Sequence, residues 1–271
     1  MNNLTMFCIS MNPEHINKIK KLNYTPVGLG DKSFSNEWMQ DKKGENINEK
    51  NKYFGEYTFH YWLWKNYLDK IEDEWIGFCQ YRKFWSKDNN NYNPESFENL
   101  QNSVLKKMIT VDDGVDVILG NEIYINNFKF MKFIKRGYKM LLKNPCYIYD
   151  KNSRNIKFHF DMWHGSYFLD KAIDLLNAND KEDFKKFVNN KVSFNPHNMF
   201  LIKSKKILRE YYSVLFRWLN LCEKEFGFQN LQGYGQIRIY GFLAERFMSY
   251  WFQKNTQYKT LPIIFYDLGK S

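Results

Sequence analysis

The sequence predicts an α/β fold: a mixed, mostly parallel sheet flanked by helices, followed by a helical C-terminal part. Three observations carry the prediction. Strand-like apolar runs, among them LTMFCIS (4–10), WIGFC (75–79) and VDVIL (115–119), alternate with stretches of helical periodicity. Two long periodic stretches, near 204–226 and 236–252, close the chain as helices. Leu261–Tyr266 returns to strand character after them.

Taken in order, Leu4–Ser10 reads as the first strand, followed by a Pro-containing turn and a short helix ending near Leu22. Thr25–Gly30 is a second short strand or loop, and 31–50 is a long polar connection of the kind that carries function. From Asn51, a plausible N-cap, Phe54, Tyr57, Tyr61, Trp64 and Leu68 recur at three- and four-residue spacing, predicting one helix. WIGFC is the next strand, then an Asn-rich loop, a helix near 95–109 and the strand VDVIL. Helices near 166–178 and 181–190 precede a strand at Asn198–Lys203. No repeat or linker interrupts residues 1–271, which read as a single domain with a basic amphipathic insertion at about 124–158.

With 44% hydrophobic and 19% aromatic residues in 271, the chain is no disordered polymer and can bury a core. No run approaches the roughly 18 apolar residues of a membrane span, and the N-terminus lacks a signal-peptide pattern, so a cytoplasmic protein is expected. Cys8, Cys79, Cys146 and Cys222 are widely spaced and read as reduced, mostly buried thiols. The net charge of +10 suits nucleic acid, anionic lipid or phosphate-bearing substrates. Most of the excess lies in 124–160, which holds nine Lys or Arg against one acid, Asp150. Within it Lys129, Lys132, Arg136, Lys139 and Lys143 share one helical face opposite an apolar one, a pattern for an anionic membrane surface or for an ordinary surface helix. No zinc spacing, RNP-like or helix-turn-helix signature accompanies the charge, and no nucleic-acid partner is expected.

Candidate site residues fall in four places. WIGFCQYRKFW ends a buried strand in Gln80, Tyr81, Arg82 and Lys83. Cations at the carboxyl end of such a strand suit a diphosphate, Arg as a fork and Lys as a point charge, or else mark an ordinary exit to solvent. Glu56 and His60, four apart, share a helix face as pocket residues or as a surface pair. His159, Asp161 and His164 cluster in HFDMWH, at a spacing that matches no common zinc pattern. Glu245 follows Arg238 and Gly241 on one side of its helix, as a general base or a surface ion-pair partner.

The blocks GENINEKNKYFGEYTFHYWLWKN (44–66), EWIGFCQYRKF (74–84), NPHNMFLIK (195–203) and IYGFLAERF (239–247), in this order, resemble the bacterial domain of unknown function 4422 family. That family occurs among capsule and exopolysaccharide biosynthesis proteins and is regarded as glycosyltransferases of GT-A-like, Rossmann-like fold. Its own blocks look like N-I-S-x-K-N with E-L-T-x-x-Y-W-x-W-K-N, then G-L-C-H-Y-R-R-Y, then H-x-x-N-M-F or H-N-M-F, and G-Y-L-A-E-R. The resemblance covers about Val27 to Trp251 and leaves 124–158 outside the clear matches. It implies transfer of a sugar from a nucleotide sugar, a UDP-sugar favoured, to a polyprenyl-linked or oligosaccharide acceptor in capsule, O-antigen or exopolysaccharide synthesis. A galactofuranose donor is one option it leaves open.

On the matched motifs stand Asn46, Asn51, Glu56, Tyr81, Arg82, His197, Asn198, Glu245 and Arg246. The resemblance implies Glu245 as base for the acceptor hydroxyl. Gln80 stands where the family has His, and Lys83 where it has a second Arg, so a role for imidazole does not carry over while phosphate neutralisation does. Where GT-A enzymes usually hold a divalent ion with D-x-D, this chain reads QYRK. The expectation is that Arg82 and Lys83 stabilise the departing diphosphate without a divalent metal, on a protein peripheral to the inner face of the membrane. The other expectation is a non-catalytic nucleotide-sugar or glycan binder.

Overall fold

A computed structural model describes residues 3–109, 113–127, 137, 138, 140–142 and 144–270. Lys129, Lys132, Arg136, Lys139 and Lys143, the predicted membrane face, lie outside the described residues. The chain divides into two compact units, 1–121 with 197–213 and 252–271, and 122–196 with 214–251.

The strands, in chain order, are β1 (Leu4–Ser10), β2 (Thr25–Gly28), β3 (Met39–Gln40), β4 (Trp75–Gln80), β5 (Lys83–Trp85), β6 (Val117–Gly120), β7 (Ile123–Tyr124), β8 (Ser193–Phe194), β9 (Phe200–Ile202), β10 (Tyr258–Leu261) and β11 (Ile263–Phe265). The first unit is built on a sheet of order β10-β6-β9-β4-β1-β2-β3, with β5 pairing β4 and β11. β1 pairs in parallel with β2 on one side and β4 on the other, so the chain reverses its direction of travel across the sheet at β1.

The sheet is mixed, with a smaller parallel share than the sequence predicts. The β4-β1-β2-β3 and β6-β10 pairs are parallel, but β9 is antiparallel to both of its neighbours. The register explains why. Leu119 pairs with Phe200, so the chain leaves the sheet after β6 and re-enters it at the same end, and β9 has to run backwards. The last strand is likewise two, parted by Pro262, which has no N–H for a ladder.

Both faces of the first unit's sheet are covered, which is why WIGFC has no polar alternation. On one face Phe7 packs on Phe59 at 5.4 Å and on Phe78 at 5.8 Å, with Phe200 against Phe252 at 5.0 Å. On the other, Cys8, Cys79, Trp75, Trp85 and Ile118 share one buried cluster. Cys8, Cys79 and Cys222 are buried free thiols and Cys146 is an exposed one.

The helix predicted from Asn51 is two, Asn51–Phe54 and Tyr57–Asn66. Gly55 parts them at φ 61° and ψ −134°, a conformation that a side chain would strain. The predicted 95–109 helix is Phe97–Ser103, because Val104 turns extended (φ −86°, ψ 151°) and bridges Ser86.

The second unit packs the helices Ile156–His164, Phe168–Asp174 and Ala178–Asn190 with the later turns of Lys205–Phe226 and most of Ile239–Asn255; β7 and β8 form its two-stranded ribbon. Trp218 is its pivot: the indole N–H donates to the Ala172 carbonyl at 2.6 Å, and its ring meets Phe184 and Phe247 at 5.9 and 4.8 Å. No helix among the described residues is long and apolar enough to cross a membrane.

Candidate functional site

The polar end of WIGFCQYRKFW is a hairpin. β4 ends at Gln80, Tyr81 and Arg82 make the turn, and β5 returns with Lys83 opposite Gln80. Continuing the antiparallel β4–β9 register (Ile76 with Ile202, Gly77 with Leu201) brings residue 198 opposite residue 80. The side chains meet accordingly. The Gln80 amide donates to Glu56 Oε1 and to the His197 carbonyl, each at 3.1 Å, while its own oxygen accepts from Lys83 Nζ at 3.3 Å. Asn198 Nδ2 donates to the same Glu56 oxygen at 2.8 Å, and the Tyr57 hydroxyl donates to Asn198 Oδ1 at 2.9 Å. Thus Glu56, Gln80, Lys83, His197 and Asn198, read from three separate motifs, form one network.

Two left-handed residues shape the turn that carries this network. His197 (φ 79°) and Asn198 (φ 54°) are both left-handed, the turn that starts β9. Burial pushes the His197 imidazole down to about 3, and the Lys83 ammonium adds to the effect, so the ring is neutral at physiological pH. Asn51 braces the break at Gly55: its amide donates to the Gly55 carbonyl at 3.0 Å and to Thr58 Oγ1 at 3.1 Å. Asn46 closes its own loop onto the Gly44 carbonyl at 2.8 Å. These two asparagines shape the backbone around residues 44–58, which carries Glu56 into the network.

His60 sits elsewhere. It is fully buried, with Nδ1 2.6 Å from the Tyr212 hydroxyl and its ring 4.3 Å from Phe78; burial pushes its pKa down to about 3. It is a core histidine under the sheet, and the helix face it was expected to share with Glu56 is turned inward at that position.

Arg82 reaches the other way, into an open cleft of about 700 Å³. Its Nε donates to Asp267 Oδ2 at 2.8 Å and its guanidinium lies 4.8 Å above the Tyr81 ring, which in turn lies 5.2 Å from His15. The cleft is also lined by Asn12, Asp31, Lys32 and Lys270. Asn12 and His15 follow β1, Asp31 follows β2 and Tyr81–Arg82 follow β4. The cleft therefore lies outside the carboxyl ends of the strands where β1 sends its neighbours to opposite sides, the place where open α/β sheets bind ligands. Ser10 Oγ lies 2.9 Å from His15 Nδ1 and fixes that ring; burial lowers its pKa against the pull of Asp267. The C-terminal segment forms a wall, with Lys18 Nζ donating to the carbonyls of Leu268 (2.9 Å) and Lys270 (2.8 Å). Among the described residues no three His, Cys, Asp or Glu side chains converge to hold a metal ion.

The second unit gathers the remaining candidates. Arg246 is 3% exposed, donates to Glu245 and to the Phe242 carbonyl (3.3 Å), and lies 3.4 Å from His159 Nδ1. Phe194, Phe160 and Phe242 surround the guanidinium at 4.7, 5.5 and 5.8 Å. Burial lowers the Arg246 pKa and the Glu245 carboxylate opposes that shift. His159 is pushed down to about 2 and His164 to about 3, by burial first and the Arg246 charge second. Asp161 faces another partner, Lys157 at 2.7 Å, and burial raises it to about 6. The HFDMWH motif thus sets His159 against Arg246, ties His164 to the Gly235 carbonyl and gives its aspartate to a lysine. Arg238 lies 5.9 Å from the Tyr234 ring.

A family model matches residues 10–256 of this chain. The chain belongs to the domain of unknown function 4422 (DUF4422) family. Among curated proteins none matches it. In fold this DUF4422 chain is similar to the apo structure of the bifunctional glycosyltransferase WbbM, at TM-score 0.66 and 19% sequence identity; the match covers 97% of this chain and 45% of that one. The chain therefore spans under half the length of that protein. The DUF4422 match ends before Asp267, so resemblance gives no hint of the Arg82 partner. His15, Asn12 and Asp31 were missed as well. The signal that finds them is topological: they stand within the first few residues after β1 and β2.

Proposed function

We propose that this DUF4422 protein is a glycosyltransferase that moves a sugar from a nucleotide-sugar donor, a UDP-sugar favoured, to a glycan acceptor. The observation that carries the reading is the open cleft at the β1/β4 switch point, with Arg82 reaching into it and Lys32 and Lys270 on its walls. Departure of a nucleoside diphosphate builds negative charge on its outer phosphate. A guanidinium already aimed there needs only to exchange the Asp267 carboxylate for the phosphate oxygens. Losing one donor of this kind costs roughly 2.7–4 kcal/mol of transition-state stabilisation. Lys83, tied to Gln80, adds positive potential behind the hairpin, and transfer proceeds with a divalent ion chelated. Fold similarity to a structure named as a bifunctional glycosyltransferase supports the same reading.

Glu245 is proposed as the base that takes the acceptor proton, on the strength of its motif and of Arg246 beside it. A polyprenyl-linked or oligosaccharide acceptor for capsule, O-antigen or exopolysaccharide, met at the inner face of the cytoplasmic membrane through Lys129, Lys132, Arg136, Lys139 and Lys143, completes the proposal. Gln80, an amide where the family carries an imidazole, favours one other reading, a non-catalytic nucleotide-sugar binder.

The test is a thermal-shift screen of UDP-, GDP- and CMP-sugars with EDTA present, followed by transfer or hydrolysis of whichever donor raises the melting temperature. Turnover lost in Arg82→Ala supports the transferase. Binding without turnover supports the binder, and no shift with any donor refutes both.

A further inference from the structure

Two large rings of the second unit face solvent yet are fixed from behind. Trp163 is 37% exposed and its ring lies 6.2 Å from His159. Tyr234 is 71% exposed, and its ring meets Phe242 edge-on at 5.9 Å. The two belong to touching segments. A Cβ on Gly235 would come within 2.5 Å of the Trp163 carbonyl, and His164 Nδ1 lies 2.8 Å from the Gly235 carbonyl, to which it donates. Phe242 then links Tyr234 to the polar group behind: its ring lies 4.2 Å from His164 and 5.8 Å from the Arg246 guanidinium.

That polar group pairs a carboxylate with a cation. Glu245 keeps 14% of its side chain exposed while Arg246, at 3%, is closed off from any ligand. Arg246 Nε is buried with no hydrogen-bond partner among the described residues, and the guanidinium is held through its other nitrogens by Glu245, the Phe242 carbonyl and His159. The charges of the pair cancel, and both neighbouring histidines are neutral, which disfavours a phosphate there. Fixed aromatic faces lose little freedom on binding and take the C–H face of a sugar ring, while a carboxylate accepts from its hydroxyls.

We propose that the second unit carries a saccharide subsite, with Trp163 and Tyr234 as stacking platforms, Glu245 as the hydroxyl acceptor and Arg246 positioning that carboxylate. This rests on the glycosyltransferase reading and deepens it: the ligand is a neutral hexopyranosyl unit of the glycan acceptor.

Saturation-transfer NMR on the full chain tests it, with methyl β-D-galactopyranoside, methyl α-D-glucopyranoside and methyl α-D-mannopyranoside as probes. The expected result is transfer to ring C–H protons of at least one glycoside. Affinity falls roughly tenfold in Trp163→Ala and in Tyr234→Ala, the loss of one stacking contact, and is kept in Tyr234→Phe, which retains the ring. Melting temperature and its rise with UDP stay as in the native chain, which excludes misfolding as the cause. The proposal is overturned if no glycoside receives saturation, or if both alanine variants bind as the native chain does. It is overturned equally if the variants lose only flotation with anionic vesicles, since the rings then serve a membrane. Glycoside binding through these rings without any binding of UDP would leave the subsite standing and remove the nucleotide-sugar reading.

Discussion

Replacing Asp267 by Asn and Arg82 by Ala should move nucleotide affinity in opposite directions while barely changing stability. The two side chains pair at 2.8 Å with 58% of the arginine and 27% of the aspartate exposed, so the pair stabilises the fold by less than about 1 kcal/mol. Their effects on a bound diphosphate are larger. A phosphate that takes the guanidinium over from Asp267 leaves that carboxylate about 6 Å away; at an effective dielectric of roughly 40–80 the two charges repel by about 0.7–1.4 kcal/mol. Asp267→Asn therefore tightens UDP binding by about three- to tenfold. Arg82→Ala removes a charge-assisted hydrogen bond worth about 1.5–3 kcal/mol and weakens binding by roughly 10- to 150-fold. Calorimetric titration of UDP into each variant, with EDTA and at two salt concentrations, reads both effects. The gain in Asp267→Asn shrinks at high salt as the repulsion is screened. Weaker binding in Asp267→Asn, or unchanged binding in both variants, would refute the exchange of partners at Arg82.

Three further outcomes follow from other parts of the molecule. His60, His164 and His197 have pKa values near 3 and His159 near 2, all below the ordinary 6.5, so the unfolded chain takes up protons that the folded one refuses. Stability is full above pH 6.5 and falls as pH drops toward 3, each histidine removing up to about 1.4 kcal/mol per pH unit, and urea melts at pH 7, 6 and 5 should show it. Gly55→Ala places a side chain at φ 61° and ψ −134° and costs about 1–3 kcal/mol in the same melts. Glu245→Gln keeps UDP affinity within about twofold and lowers the turnover rate by roughly 10²–10⁴, as expected of a general base; a drop in affinity without loss of turnover speaks against that role.

How much of this could be read from the sequence varies with the physics involved. The strands at WIGFC and LTMFCIS were legible because a sheet covered on both faces demands apolar residues throughout. The polar tail QYRK was legible as an anomaly, and the structure resolves it as a hairpin turn that sends Gln80 and Lys83 to one network and Arg82 to another cleft. The direction of β9 was not legible: it depends on where the chain re-enters the sheet after an excursion into the second unit. Nor was the break at Gly55, since Phe54, Tyr57, Tyr61 and Trp64 keep helical spacing across it. Glu56 and His60 read as neighbours on one face, but packing buries His60 against Phe78 and leaves only Glu56 in the network. Asp267 pairs with Arg82 across 185 residues, and no local pattern announces such a contact.

The proposed function requires the cleft outside β1, β2 and β4 to receive the nucleoside diphosphate of a sugar donor. Hydrogen–deuterium exchange of the native chain with and without UDP tests it most directly, peptide by peptide. Slowed exchange is expected at residues 11–15, 29–32 and 81–82 and at the wall formed by 267–270, with no such protection in Arg82→Ala. Protection confined to the second unit, or a UDP-stabilised protein whose cleft peptides exchange as before, would contradict it.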